Sequence, residues 1–250
     1  MRAFAFALML TVMAVGTALA QEADCKLENA SAGTVRAVLD GRSFVLTDGR
    51  EVRLAGIEVP ESSKAALEKI LGNRGVTLKT LGDDKDRHGR LPAFAFVAGD
   101  PRSAQQILLT SGDARVSSRV GSAACAKPLL NAEQSARAAK RGLWSEPAHA
   151  LRQADDPASV LAERGRFTLV EGRVLSVRES GGTIYVNFGR RWSEDFTATL
   201  LKRNERAFTT AGLDLKTLSG RTVRLRGVIE ERGGPWLELT RPEQIELIGR

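Results

Sequence analysis

Aromatic side chains are scarce: one tyrosine, three tryptophans and nine phenylalanines, 5% of 250 residues. So low a content argues against an extended platform for stacking bases. Histidine is rarer still. His88 and His149 are the only two, and neither is placed to activate Cys25 or Cys125, so neither cysteine reads as catalytic. An even cysteine count in an oxidising compartment favours one Cys25–Cys125 disulfide, the alternative being two separate thiols. The bridge would close a ring of about 100 residues and contribute about 4 kcal/mol on a chain-entropy model. Beyond the N-terminus no apolar run approaches the roughly 20 residues of a spanning helix, so no transmembrane segment is expected.

Met1-Arg2, the apolar run from Phe4 to Gly16, and Ala18-Leu19-Ala20 have the order of a signal peptide. We expect residues 1–20 to be removed before Gln21 and the mature chain to be periplasmic or secreted. A formal charge of +7 and a pI near 9.8 indicate attraction to polyanions such as nucleic acid. The remaining length of about 230 residues suits two domains.

From Gly33 to about Phe96 apolar and polar residues alternate in VRAVL, SFVLT and EVRLAGI, with turn signals between them. Ser62 to Leu71 has helical spacing; 75–79 and 91–97 read as further strands. Ser103 to Leu109 reads as a helix closed by Ser111-Gly112. A last helix is expected from Pro128 to Arg141, with proline in its first turn and Gly142 at its end. Residues 147–165 lack strand pattern and read as a linker, with a short helix from Pro157. Strand rhythm returns at Phe167. The predicted fold class is mainly β with α (α+β): two OB-fold-type five-stranded barrels in tandem, over 21–146 and 166–250.

Val35 to Glu61 ends in a loop that presents Glu58 and Glu61 beside Arg53, and DDKDRHGR brings Arg90 to the start of another strand. Guanidinium forks match phosphate oxygens bidentately, and a carboxylate can orient a water; the set suits a phosphate diester. Asp83, Asp84 and Asp86 lack the glycine and distal glutamate of a calcium loop and read as a solvated turn. In the C-terminal half, Tyr185, Phe188, Trp192 and Trp236 lie near Arg190, Arg191, Arg224 and Arg226 in a pattern that offers a second nucleic-acid surface, core packing being the plainer account of Phe188 and Trp236.

Asp40-Gly41, the run Val52 to Glu61, Asp86-Arg87-His88-Gly89-Arg90, Ala132 to Arg137 and Lys140 to Trp144 occur in one order and spacing. Together they resemble the thermonuclease, or staphylococcal-nuclease-like, family over about Gly33 to Glu146. The resemblance implies a phosphodiesterase in which Arg53 and Arg90 clamp the phosphate, Glu61 positions the attacking water and Glu58 stands where the family has a metal-binding aspartate. It implies calcium as cofactor wherever the site survives. Arg42 stands where the family has a carboxylate, which opposes calcium, and no cofactor is expected to remain. The family's tyrosines are replaced at His88, Ser118 and Val120. The expected function is engagement of nucleic acid, or another polyanion, with a degenerate calcium site. An active nuclease and an envelope module that docks a protein partner are the alternatives.

Overall fold

The computed structural model describes residues 25–82 and 85–249; the expected leader at 1–20, Asp83 and Asp84 lie outside them. In the N-terminal half come β1 (Glu28–Val38), β2 (Ser43–Leu46), β3 (Glu51–Leu54), β4 (Ile57–Glu58), α1 (Lys64–Leu71), β5 (Gly75–Thr80), β6 (Leu91–Val97), α2 (Ala104–Ser111), β7 (Arg115–Val116) and α3 (Ala123–Ala138). Strands β1, β2, β3, β6 and β5 close a barrel in that order, with β3 and β6 parallel. Alternation fixes the faces. Val52 and Leu54 point into the core while Arg53 between them stays half-buried. Gly56 ends what reads in sequence as one strand. Its φ of +75° turns the chain between β3 and β4, and a Cβ there would lie 3.1 Å from Leu129.

Helix α3 begins five residues before the expected start, because the Ser122 hydroxyl accepts from the Cys125 amide and caps it there. Pro128 therefore sits inside the helix. The helix also stops earlier than Arg141, with Lys140 in the left-handed region at φ +50°. Cys25 and Cys125 form the disulfide, tying β1's leading edge to the first turn of α3.

In the C-terminal half come β8 (Arg152–Gln153), α4 (Pro157–Leu161), β9 (Phe167–Arg173), β10 (Ser176–Ser180), β11 (Thr183–Asn187), β12 (Thr197–Leu201), α5 (Glu205–Thr210), β13 (Thr222–Val228), β14 (Glu230–Arg232), β15 (Gly234–Leu239) and β16 (Ile245–Ile248). One sheet has the order β10-β11-β12-β15-β14 and the other β16-β13-β9-β8. The chain crosses between them at Val174-Leu175 and at Ile229. β9 pairs with β13 beside a second core, and β12 and β15 repeat the parallel pairing of β3 and β6. The described strands of this half form two sheets, of five and four strands, in place of the single five-stranded barrel expected. The stretch expected to be a linker is ordered against this unit. Strand β8 extends the sheet through β9, and Ala154 and Val160 are buried in the second core. Among the described residues no helix is long and apolar enough to cross a membrane.

Candidate functional site

One open cavity of about 780 Å³ lies at the mouth of the first barrel, between β3, β4, the loop before β6 and the segment after β7. Among the described residues its lining carries Arg42, Arg53, Arg87, Arg90 and Arg119 against Glu58 and Asp86, five guanidinium groups to two carboxylates. The apolar part of the wall includes Leu54, Pro92, Phe94 and Val120.

Each charge has a local cause. Arg53 is carried on β3, held by pairing to Ser43 on one side and Pro92 on the other. Burial pushes its guanidinium below the usual value, and the positive charges of Arg42 and Arg90 push further. Since arginine stays protonated regardless, this amounts to like-charge crowding that an entering anion would relieve. Among the described residues no carboxylate lies within ion-pair distance of Arg53, Arg87 or Arg119. Arg90 is aimed by Asp86, whose Oδ2 accepts from Arg90 Nε at 2.8 Å while its Oδ1 accepts the backbone N–H groups of His88 and Arg90. Burial would raise the Asp86 pKa, but these bonds outweigh it and lower the group to about 2. Asp86 lies in an exposed turn, as expected, and within it acts as a fixed counter-charge that orients Arg90.

Arg42 enters the cavity from the Asp40-Gly41 turn. Asp40 Oδ1 accepts from the Arg42 amide at 2.8 Å. A Cβ at Gly41 would lie 3.0 Å from both Val59 and Ser63, so glycine lets this turn lie closely against the segment after β4. The guanidinium then reaches Glu58, Nη1 to Oε2 at 2.6 Å, and also donates to the Ile57 carbonyl at 3.1 Å. Glu58's other oxygen accepts from the Ser117 hydroxyl at 3.0 Å.

Arg53, Arg90, Glu58 and Arg42 therefore share one cavity. Glu61 does not line it; this residue opens a short 3-10 turn, Glu61–Ser63, and is exposed. Sequence reasoning missed Asp86, Ser117 and Arg119. For Asp86 the signal was present, an aspartate four residues before Arg90 across a glycine turn. Among the described residues no group of three or more His, Cys, Asp or Glu is placed to hold a metal ion.

In the C-terminal half Phe188 and Trp236 pack within the fold, the plainer of the two accounts, while Arg190 and Arg191 are exposed beside Trp192. Arg226 is fully buried and Arg224 is engaged by Glu171 and Glu246, so neither is available to a ligand. Tyr185 packs edge-on against Trp236 at 6.1 Å, and Phe188 packs on Phe196 at 5.1 Å. Of the four aromatics only Trp192 is largely exposed, at 72%.

The chain matches no curated protein. Residues 51–146 match the family model described as staphylococcal nuclease homologue, and the N-terminal domain is accordingly staphylococcal-nuclease-like, of the thermonuclease type.

Proposed function

We propose that the protein engages nucleic-acid phosphodiesters through Arg53 and Arg90, without calcium and without ordinary hydrolysis. The observation that carries the reading is the excess, among the described residues, of guanidinium over carboxylate in one cavity, with Arg53 beyond ion-pair distance of any described carboxylate and crowded by like charge. A phosphate oxygen pair brings bidentate acceptors to such a fork.

Calcium takes 6–8 oxygen ligands, several of them carboxylates. The residues present do not fit it. Both oxygens of Glu58 and the carbonyl of Ile57 are occupied by donors, and one donor is the Arg42 cation. At roughly 4 Å and an effective dielectric near 20, two unit charges repel by about 4 kcal/mol, and a divalent ion feels about twice that. Arg42 also brings positive charge to the cavity in the ion's stead, which supports anion binding but supplies no acidified water. Glu61, expected to position a water, is exposed on its 3-10 turn, and no hydrolytic step is assigned. The Cys25–Cys125 bridge supports a working location outside the reducing cytosol.

Titrating labelled single-stranded DNA with the protein over a salt series, followed by fluorescence anisotropy, tests this. Log Kobs should fall linearly with log salt, and Arg53→Ala or Arg90→Ala should lower the slope by about one contact each, with EDTA making no difference. Absence of binding at low salt, or binding that requires calcium, would end the proposal.

A further inference from the structure

We propose that Glu243, in the C-terminal half, is a positioning residue for the phosphate cavity in the N-terminal half, acting through Arg119. This inference rests on the polyanion reading and extends it to the part of the chain that the family match does not cover.

The wall opposite Arg53 is the segment that follows β7. It has little structure of its own: β7 is two residues long and pairs only with the equally short β4. What fixes it comes from both sides. Ser117 N donates to the Gly56 carbonyl at 2.9 Å, and the Ser117 hydroxyl both donates to Glu58 and accepts from the Arg119 amide at 3.2 Å. On the far side of Arg119, Glu243 Oε1 accepts two successive amides, Val120 N at 3.1 Å and Gly121 N at 3.0 Å. Arg119 is thus the exposed residue between two anchors, and one of those anchors lies more than a hundred residues away in sequence.

Glu243 is built for this contact. It is 4% exposed and sits in the short 3-10 turn Pro242–Gln244. The neighbouring Gln244 locks that turn by donating to the carbonyls of Arg226 and Glu238 and accepting from the amides of Thr240 and Arg241. Among the described residues no cation lies within ion-pair distance of Glu243. Two backbone N–H groups donate to it, so an otherwise costly buried carboxylate is satisfied by the cavity wall itself. Removing the carboxylate frees the Val120 and Gly121 amides, and the Arg119 backbone loses one of its two fixed ends.

The test uses the full chain and four variants, Glu243→Ala, Glu243→Gln, Arg119→Ala and the double change Glu243→Ala/Arg119→Ala, with labelled single-stranded DNA as probe. Glu243→Ala should raise amide hydrogen exchange at Val120 and Gly121, weaken DNA binding about three- to tenfold at low salt, and reduce the log-log salt slope by about 0.7 to 1, one phosphate contact. Arg119→Ala should give the same slope, and the double variant should add nothing further. Glu243→Gln, which keeps an acceptor oxygen, should restore both exchange protection and slope. Faster exchange with an unchanged slope would overturn the inference by making Glu243 merely structural, and so would unchanged exchange. Absence of DNA binding by the parent chain would instead sink the polyanion reading, and this inference with it.

Discussion

Arg226 and Glu133, 93 residues apart and each 0% exposed in its side chain, form a two-armed ion pair that joins the two halves of the molecule. Arg226 Nη1 and Nη2 reach the two Glu133 oxygens at 3.0 Å each, and Nη1 also donates to the Val116 carbonyl. Glu133 accepts in addition from Val116 N at 2.6 Å and from Arg137. Glu246 closes the network from β16. Because both partners are fully desolvated, removing one leaves an uncompensated buried charge.

Breaking this pair should therefore be expensive. Glu133→Ala is expected to cost about 3–5 kcal/mol, measured by urea denaturation of the intact chain. Arg226→Met combined with Glu133→Leu should cost clearly less than the sum of the single changes, since neither member of the pair is left charged without the other. Additive losses would show that the two side chains do not act as a pair.

Acid should weaken the molecule through the same residue. Burial alone would raise the Glu133 pKa, but the charge and hydrogen bonds of Arg226, the Val116 amide and Arg137 hold it below the ordinary carboxylate range. A depressed folded-state pKa contributes stability that is present above the unfolded value of about 4.3 and lost as pH falls through the folded one. Asp86, lowered to about 2, acts in the same direction over the interval from about 4 to 2. Urea midpoints should fall steadily below about pH 4.5, and Glu133→Gln should flatten that fall. A midpoint that stays level from pH 5 to 2.5 would contradict the assignment.

Much of the first barrel was legible because its strands are half-buried, and the period of two in EVRL and GVTLKT announces which side faces the core. That Arg53, Glu58 and Arg90 would lie together was legible because all three stand in loops or strand ends on one side of the barrel, where they line a common cavity. Glu133 and Arg226 were not. A buried ion pair between distant segments leaves no local period, and Arg226 lies in β13 among residues that look like any alternating strand. Glu243 was hidden likewise, since its partners are backbone amides, which every residue possesses. Residues 147–165 looked like a linker because β8 is only two residues long and is ordered by pairing to β9, a contact absent from local pattern.

Reduction of the disulfide should act mainly on the unfolded chain. Cys25 and Cys125 are separated by 100 residues in sequence. Closing so long a ring is worth about 4 to 5 kcal/mol in the chain-entropy model. Cys25→Ser/Cys125→Ser should lower the urea midpoint accordingly, with DNA binding at low temperature retained. Equal midpoints with and without reductant would show that the bridge adds little.

Replacing Arg42 tests the cavity's charge most directly. Arg42→Asp removes the donor that occupies Glu58 Oε2 and the Ile57 carbonyl, and it supplies a carboxylate beside Glu58. Local charge changes by two units in favour of a divalent cation. The variant is expected to bind calcium by isothermal calorimetry and to gain thermal stability in millimolar calcium, since a ligand of the folded state alone raises stability by RT ln(1 + [L]/Kd). The parent chain should show neither response. Its DNA affinity without calcium should exceed the variant's, because Arg42 contributes positive charge that the variant must import. Calcium binding by the parent chain, abolished by Glu58→Gln, would show that the guanidinium yields its place to the ion and that the cavity is a metal site after all.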